Sequence, residues 1–352
     1  MKYYLSLCCI IKDEKYLEQF IIYHHIVGVE HFYIYDNNSE IPIRDRLNSF
    51  YYNRICTIID YPGKHKQMPA YKDCINRFKN ETKWLIIIDG DEYILPKNNH
   101  WSIRDFLNEY EDVQAIGINW VMFGSSFHKN TQDGFLVDKY RYCNSKQDKH
   151  IKTICQPLYV MDVMNPHYVI VQDYNKYIDS KRNIINGPFN ENYTTDIIQI
   201  NHYSIKSEED LIKKYNRGNA DSDMRISLLE NHHELHNNII NNYLPDKYLN
   251  TIIKTYLMTC SNAEIYKALN LDLHFSTLEE YNNHLFKYAI LQNRPHHITD
   301  KFPKFNRDIY RKNYSDLSNL TDLQIELHYI NTGFFENRIS DILIEDKPQI
   351  KN

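Results

Sequence analysis

The sequence predicts an α/β protein in which a mostly parallel mixed sheet is flanked by helices and followed by a helical C-terminal region. Over about the first 90 residues, short apolar runs alternate with helical patterns, as in parallel sheets with right-handed crossovers. After about residue 206 the pattern is mostly helical. We expect one α/β domain over 1–205, with a nucleotide-binding half of about 1–95 and an acceptor half of about 96–205. A helical region follows over 206–352.

Four apolar runs in the first half have the composition of strands buried on both faces. They are Tyr3–Ile11, His31–Tyr35, Ile55–Ile59 and Trp84–Ile88. Apolar residues at three- and four-residue steps predict a helix over 16–27, with Asp13 as its cap and Gly28 ending it. Pro69 opens the next helix, which runs through Asn80.

The second half is less regular. We expect a helix over 102–110, a polar loop from Gly124 to about His150, and four more strands near 115–122, 152–160, 167–171 and 197–200. Ser207, with Asp210 three residues on, has the spacing of a helix capping box.

Composition excludes several classes of protein. The 9 glycines form no G-x-G and no P-loop, so the dinucleotide and Walker motifs are absent. A net charge of −5 without a basic run argues against nucleic acid as a partner. The 7 cysteines include no C-x-x-C pair, which predicts reduced thiols and a cytoplasmic protein. No apolar run approaches the ~18 residues of a transmembrane anchor.

The strongest local signal is Asp89-Gly90-Asp91 at the end of the fourth apolar run. Residues i and i+2 of an extended chain face the same way, so both carboxylates are expected to project from the strand end. Ligands of open α/β sheets bind at the carboxyl ends of strands. Two carboxylates suit a divalent cation that also takes diphosphate oxygens, and Gly90 would let such a ligand approach.

Separated motifs, in order along the chain, resemble glycosyltransferase family 92 and the related family-2-like group. The resemblance covers roughly 3–220 and is carried by Cys9–Glu14, Leu17, Tyr23-His24, Gly28-Val29, Phe32–Ser39, Gln67, Ala70-Tyr71, Cys74, Trp84–Glu92, Asn119-Trp120, Phe123–Ser126, Lys152, Asn165–His167, His202-Tyr203, Lys206-Ser207, Lys214 and Arg217-Gly218. It implies a GT-A fold, an Mn²⁺ or Mg²⁺ ion and a nucleotide-diphosphate sugar donor, most simply a UDP-sugar. The implied activity is hexose transfer to a glycan or glycoprotein acceptor, with inversion.

The resemblance also assigns residues to the donor and the metal. Asp89, Asp91 and His202 are the expected metal ligands, with His202 delivered by a late strand. Residues expected at the donor are Lys12, Asp36, Gln67, Asp89, Lys206 and Arg217. Cationic side chains near the helix after Ser207 would stabilise the leaving diphosphate.

The acceptor side and the catalytic base are less determined. The expected acceptor residues are Trp120, Ser125, Ser126 and His128, although Phe127 stands where the family pattern has glycine. An inverting transfer needs a base near the acceptor hydroxyl. The candidates by region are Asp148, Asp221 and Asp223, and no motif selects among them.

Two other functions remain open from the sequence. A non-catalytic sugar-binding relative would bind glycans without metal-dependent donor hydrolysis. A haloacid-dehalogenase-type phosphatase also places D-x-D at a strand end, but normally on its first strand, whereas three strand–helix units precede Asp89 here.

Overall fold

The structure, a computed structural model, describes residues 1–47, 50–97, 102–146, 148–217, 262–288 and 298–341, with single positions at 100, 236, 237, 239, 240, 249, 251, 252, 255 and 295. The chain divides into two compact units, the first of 1–48 and 52–253 and the second of 49–51 and 254–352. The first unit extends beyond residue 205, the expected boundary. The helix after residue 205 is tied to this unit, since the Thr131 hydroxyl donates a 2.8 Å hydrogen bond to Asp210 on that helix.

A mixed sheet organises the first unit. The strands are β1 Tyr3–Ile11, β2 His31–Asp36, β3 Cys56–Asp60, β4 Thr82–Ile87, β5 Glu92–Pro96, β6 Ala115–Met122, β7 Tyr142–Cys143, β8 Ile151–Cys155, β9 Val160–Asn165, β10 Tyr168–Val171, β11 Tyr177–Ile178, β12 Ile198–His202 and β13 Ile239–Ile240. Within the described residues nine of them form one sheet in the order β3-β2-β1-β4-β8-β6-β12-β5, with β11 also beside β6. The α/β class predicted from the sequence, with a mixed sheet and a helical C-terminal region, is confirmed.

The strands β3, β2, β1 and β4 are all parallel. In this register Ile11 lies opposite Asp36, and Asp36 lies opposite Asp60. The carboxyl ends of these strands therefore lie along one side of the sheet, which we call the carboxyl edge. β1, β2 and β4 consist almost entirely of buried residues because helices cover both faces of a parallel sheet.

The other half of the sheet is mixed. β8 is antiparallel to both β4 and β6, so its amino end lies at the carboxyl edge. β12 runs parallel to β6 and antiparallel to β5. β5 is a strand that the sequence analysis did not predict, and it places Glu92 opposite His202. This pairing joins the segment after Asp91 to a strand more than a hundred residues later.

The α-helices described up to residue 217 are α1 Leu17–Ile26, α2 Ile43–Arg46, α3 Phe50–Ile55, α4 Gln67–Phe78, α5 Ile103–Leu107, α6 Leu136–Lys139 and α7 Glu208–Arg217. Gly28, at φ +114°, ends the first helix as expected. Asp13 is not the cap of α1, because that helix begins after Tyr16. Instead Asp13 accepts a hydrogen bond from the backbone of Glu40 at 2.7 Å. The Ser207–Asp210 capping box is present.

The second unit contains helices only among its described residues, as the sequence predicts. From residue 262 they are α8 Ala263–Leu269, α9 Leu278–Tyr288, α10 Ile298–Lys301, α11 Arg307–Asn313, a 3₁₀ turn Ser315–Leu317, α12 Asp322–His328 and a π-helical turn Tyr329–Gly333. No helix in the described part of the chain is long and apolar enough to span a membrane.

Two helix pairs of this unit repeat one pattern at an offset of 44 residues. The Tyr266 hydroxyl is hydrogen-bonded to Nδ1 of His284 at 2.9 Å, and the Tyr310 hydroxyl is hydrogen-bonded to Nδ1 of His328 at 3.0 Å. The same offset relates the capping residues Asn262 and Asn306, Thr277 and Thr321, and Glu280 and Gln324. The unit is therefore built in part from two copies of one helix pair.

Candidate functional site

The D-x-D segment forms a tight turn between β4 and β5. The backbone N–H of Glu92 donates to the carbonyl of Asp89 at 3.1 Å, so the three residues are not extended. A Cβ added at Gly90 would overlap Cδ1 of Ile11 and contact Glu14. Gly90 therefore lets the turn approach the end of β1 without displacing the Ile11 side chain, which is a packing reason for its identity.

Three donors hold the carboxylate of Asp89. Gln67 and Tyr71, one turn apart on α4, donate to Oδ1 at 2.7 and 3.0 Å. Lys152 donates to Oδ2 at 2.8 Å. Burial acts to raise the pKa of Asp89, but the Lys152 ammonium outweighs it, so the pKa lies below its usual value. Asp89 is thus a fixed, ionised carboxylate.

Lys152 is fully buried, near the amino end of β8. Its Nζ lies 2.8 Å from Asp89 and 3.7 Å from Oε2 of Glu92. Glu92 is also fully buried, and its Oε2 accepts the backbone N–H of Asp89 at 3.0 Å. Burial raises the pKa of Glu92 well above its usual value. We therefore take Asp89 as the charged partner of Lys152, because the nearer and more exposed carboxylate ionises more easily.

Asp91 faces the other side of the turn. Lys214 of α7 donates to Oδ2 at 2.8 Å, and Nε2 of His202 lies 3.5 Å from Oδ1. The side chains of Asp91 and His202 are 12% and 11% exposed. Burial acts to raise the pKa of Asp91, but Lys214 and then His202 hold it well below its usual value. The backbone N–H of Tyr203 also donates to the carbonyl of Asp91 at 2.8 Å.

A further lysine lies near this carboxylate. Lys206 contacts both carboxylate oxygens of Glu14 at 2.7 Å, and the two side chains are almost completely buried. Its charge also contributes to the lowered pKa of Asp91. The carboxyl edge therefore combines two ionised aspartates with three lysines, at positions 152, 206 and 214.

Aromatic rings and imidazoles surround Trp120 next to this site. The ring centroid of Trp120 lies 4.3 Å from that of His202, 5.1 Å from His150 and 4.9 Å from His167. Nδ1 of His150 is 2.8 Å from Oδ1 of Asp148. Asp148, the first candidate for the base, is thus connected to His202 through two stacked rings.

The other residues expected at the donor have different surroundings in the structure. Gln67 lies in the site, bound to Asp89. The carboxylate of Asp36 accepts the backbone N–H groups of Ser39 and Ile43, both at 2.9 Å, and so closes the loop after β2. Lys12 is exposed at the end of β1. Arg217 lies at the last position of α7, and its side chain is outside the described residues.

Among the expected acceptor residues, Trp120 lies in β6, whereas Ser125, Ser126 and His128 lie in the loop after this strand. Oγ of Ser125 accepts from Asn237 at 3.0 Å, and Oγ of Ser126 accepts from the backbone of Tyr142 at 3.0 Å. Nε2 of His128 lies 3.1 Å from the carbonyl of Lys139. The three loop side chains thus bond to other parts of the protein, whereas the Trp120 ring contacts His202. The candidate bases Asp221 and Asp223 lie outside the described residues.

Sequence reasoning gave no role to three residues that the fold brings to the site. Lys152 is the single charged residue in an apolar strand pattern, which predicts a buried carboxylate partner. Tyr71 follows Gln67 by four residues and therefore shares its helix face. His150 precedes β8 by one residue, and nothing in the sequence signals its contact with Trp120.

The arrangement of these side chains shows whether they could hold a divalent cation. Among the described residues, no group of three or more His, Cys, Asp or Glu side chains is arranged to hold one. The oxygen of Asp91 and the nitrogen of His202 nevertheless face one another at 3.5 Å, beyond an ordinary hydrogen bond. Nδ1 of His202 is buried without a hydrogen-bond partner among the described residues. This pair is compatible with two ligands of a cation whose remaining ligands come from a bound diphosphate.

A mixed sheet with paired aspartates at its carboxyl edge defines an α/β protein, and in open α/β sheets this edge is the usual place for a ligand. The profile of glycosyltransferase family 92 matches residues 3–239, and the chain belongs to this family.

Several known proteins are similar to the chain. A family 92 protein of Oryza sativa subsp. japonica is 26% identical over 186 residues, which are 50% of this chain and 31% of that protein. A family 92 protein of Ricinus communis is 24% identical over 228 residues, 60% of this chain and 37% of that protein. The chain thus spans about a third of the length of these relatives.

Two solved structures align with the chain at lower sequence identity. Residues 1–349 of S. aureus TarS align over 99% of both chains, with 12% identity and a TM-score of 0.32. HddC from Yersinia pseudotuberculosis aligns over 51% of this chain and 90% of its own, with 13% identity and a TM-score of 0.31.

Proposed function

We propose that this chain is an inverting glycosyltransferase that transfers a hexose from a UDP-sugar to a hydroxyl of a glycan or glycoprotein. Membership of family 92 supports the class of reaction. The observation that carries the proposal further is the pairing of Asp91 with His202 at the carboxyl edge, beside Lys206 and Lys214. This set of charges suits a nucleotide diphosphate together with a cation.

The cofactor of the proposed reaction is Mn²⁺ or Mg²⁺, with Asp91 and His202 as the protein ligands. When bound, the ion would neutralise charge that develops on the leaving diphosphate. Asp89 is fixed by Gln67, Tyr71 and Lys152, so its carboxylate would orient the donor ribose or a water bound to the ion. Imidazole and carboxylate together are competent ligands for first-row divalent metals.

The lysines would act on the diphosphate. Lys214 is paired with Asp91 at 2.8 Å, and a cation bound by Asp91 would compete with it for that carboxylate. The ammonium would then be available to a phosphate oxygen a short distance away. Lys206 is held by Glu14 and would add positive potential to the same place. Preorganised cations of this kind stabilise a leaving group without further rearrangement.

The proposal is tested by hydrolysis of UDP-glucose and UDP-galactose in the presence and absence of Mn²⁺, using wild type and Asp91→Asn. We expect wild-type turnover to depend on Mn²⁺ and the variant to lose at least ~100-fold in rate, a typical loss for an electrostatic catalytic group. The matched control is Asp112→Asn. Asp112 is an exposed partner of Arg182 just before the amino end of β6, on the opposite side of the sheet.

Three outcomes would contradict the proposal. Unchanged hydrolysis by Asp91→Asn would remove the metal assignment. Binding of glycans without any turnover of donor by the wild type would favour a sugar-binding protein. Release of phosphate from a simple phosphomonoester at a rate above donor hydrolysis would favour a phosphatase.

A further inference from the structure

Asp148 and His150 form a hydrogen-bonded pair just before β8. Oδ1 of Asp148 accepts both the backbone N–H of His150, at 2.9 Å, and the ring Nδ1–H, at 2.8 Å. A proton on Nδ1 leaves the lone pair of the neutral imidazole on Nε2. Nε2 has no hydrogen-bond partner among the described residues, and the side chain is 39% exposed. The ring is therefore held in one tautomer with its basic nitrogen accessible.

The fold puts this pair beside the proposed donor site. Because β8 is antiparallel to β4 and β6, its amino end lies at the carboxyl edge. The His150 ring stacks on Trp120, with centroids 5.1 Å apart and planes 25° apart. The Trp120 ring in turn lies 4.3 Å from that of His202, which faces Asp91. His150 and the proposed metal ligand His202 thus both contact the same indole.

We propose that His150 is the general base of the transfer reaction and that Asp148 is the residue that positions it. The assignment rests on the proposed function. It is drawn from the tautomer fixed by Asp148, the exposed Nε2 and the stacking on Trp120. A histidine oriented by a carboxylate is an effective arrangement for accepting a proton from a hydroxyl.

The step balances as a single displacement. The acceptor oxygen attacks C1 of the donor sugar and its proton moves to Nε2 of His150. The bond between C1 and the phosphate oxygen breaks, and its electron pair leaves with the diphosphate. The imidazolium that forms is stabilised by the Asp148 carboxylate, which keeps its own charge. The proton returns to solvent when the products leave.

Neighbouring groups fit this role less well. Burial acts to raise the pKa of Asp148, but the hydrogen bonds from His150 outweigh it and keep the pKa below its usual value, which makes the carboxylate a weak base. Nδ1 of His167 bonds to the backbone carbonyl of Ile151 at 3.0 Å. Burial, followed by the charge of Lys152, lowers the pKa of His167 to about 4, so it accepts a proton poorly near neutral pH.

The experiment compares two nucleophiles with one donor. Water must lose a proton when it attacks the sugar, whereas azide attacks as an anion and needs no base. His150→Asn retains a side-chain donor for Asp148 but has no atom at the position of Nε2. We expect this variant to hydrolyse the UDP-sugar at least ~100-fold more slowly than wild type, the usual loss for a general base. Its rate of glycosyl azide formation should stay within about threefold of wild type.

Two further variants complete the experiment. One tests the positioning role of Asp148, and the other changes a neighbouring histidine as a matched control. Asp148→Asn should lose hydrolysis but keep azide transfer, which a general structural defect would not do. His167→Asn, which retains a donor for Ile151, should hydrolyse the donor at close to the wild-type rate. Calorimetric titration with UDP checks that every variant still binds the nucleotide.

The outcomes separate this inference from the proposed function. Equal loss of hydrolysis and azide transfer in His150→Asn would show that His150 is not the base. If the wild type is active and His150→Asn hydrolyses the donor at the same rate, the assignment of His150 as the base is wrong. The proposed function is then unaffected. A wild type that neither binds UDP nor consumes a nucleotide sugar would refute the proposed function, and the assignment with it.

Discussion

Nε2 of His202 faces Oδ1 of Asp91 at 3.5 Å, although more than a hundred residues separate them in the chain. The antiparallel pairing of β12 with β5 puts His202 opposite Glu92 and so creates this contact. The backbone bond from Tyr203 to Asp91 fixes the same register from the other side. A short unpredicted strand therefore determines the geometry of the proposed metal site.

His202→Ala should weaken the affinity for Mn²⁺ by ~10-fold or more, because the ion would lose a ligand or its support. The measurement is the Mn²⁺ concentration that gives half of the maximal thermal stabilisation by UDP. His167→Asn is the matched control, since that imidazole also packs on Trp120 but bonds to a backbone carbonyl. Identical Mn²⁺ dependence in His202→Ala and wild type would argue against His202 as a ligand.

Lys152→Met should destabilise the first unit by about 2–3 kcal/mol. Removing one partner of a buried ion pair costs ~3–5 kcal/mol, and the value is discounted here because Asp89 is about a third exposed. Adding Asp89→Asn to Lys152→Met should recover part of the loss, because no uncompensated carboxylate remains. Urea unfolding followed by tryptophan fluorescence measures this, since all 3 tryptophans lie in the first unit. Additive effects of the two changes would contradict the pairing.

The stability of the first unit should fall with decreasing pH in part because of His24. Burial lowers its pKa to about 3, and the ring is neutral, bonded at Nδ1 to Phe20 and at Nε2 to the backbone N–H of Ile94. Below the unfolded pKa of ~6.5 the unfolded chain binds a proton that the folded chain does not. The contribution of His24 is therefore complete above pH 6.5 and is lost progressively between pH 6.5 and about 3.

His24→Gln removes this titration and serves as the comparison. Between pH 7 and pH 5 the wild type should lose ~2 kcal/mol more than the variant in free energy of unfolding, at ~1.4 kcal/mol per unit of pKa difference. Urea titrations at four or five pH values measure both slopes. Parallel slopes would show that His24 is not buried in the neutral form.

The two helix pairs of the second unit should respond alike to loss of their tyrosine–histidine bonds. Tyr266→Phe and Tyr310→Phe each remove one hydroxyl bonded to an imidazole Nδ1. We expect each change to weaken local protection by about 1 kcal/mol, the usual net value of a hydrogen bond. Amide hydrogen exchange of α8–α9 and α11–α12 measures the effect. An effect in one pair without a matching effect in the other would show that the two copies are not equivalent.

Much of the first half of the fold follows from local sequence. The runs at β1, β2 and β4 are continuously apolar, so only strands covered on both faces could bury them. The position of Asp89 and Asp91 at the end of β4 follows from the length of that run. Gly28 and the Ser207–Asp210 box mark helix ends through bonds within a few residues. The 44-residue repeat was also present in the sequence, but it shows up only when distant segments are compared.

Other features depended on contacts between distant segments. The sequence alone established a mostly parallel sheet with two carboxylates at its carboxyl edge. Only the tertiary structure assigned Lys152 to Asp89 and His202 to Asp91. The physical reason is that strand burial is a property of each segment, whereas strand order and register depend on packing among all of them, and a shift of one residue would turn every side chain to the other face.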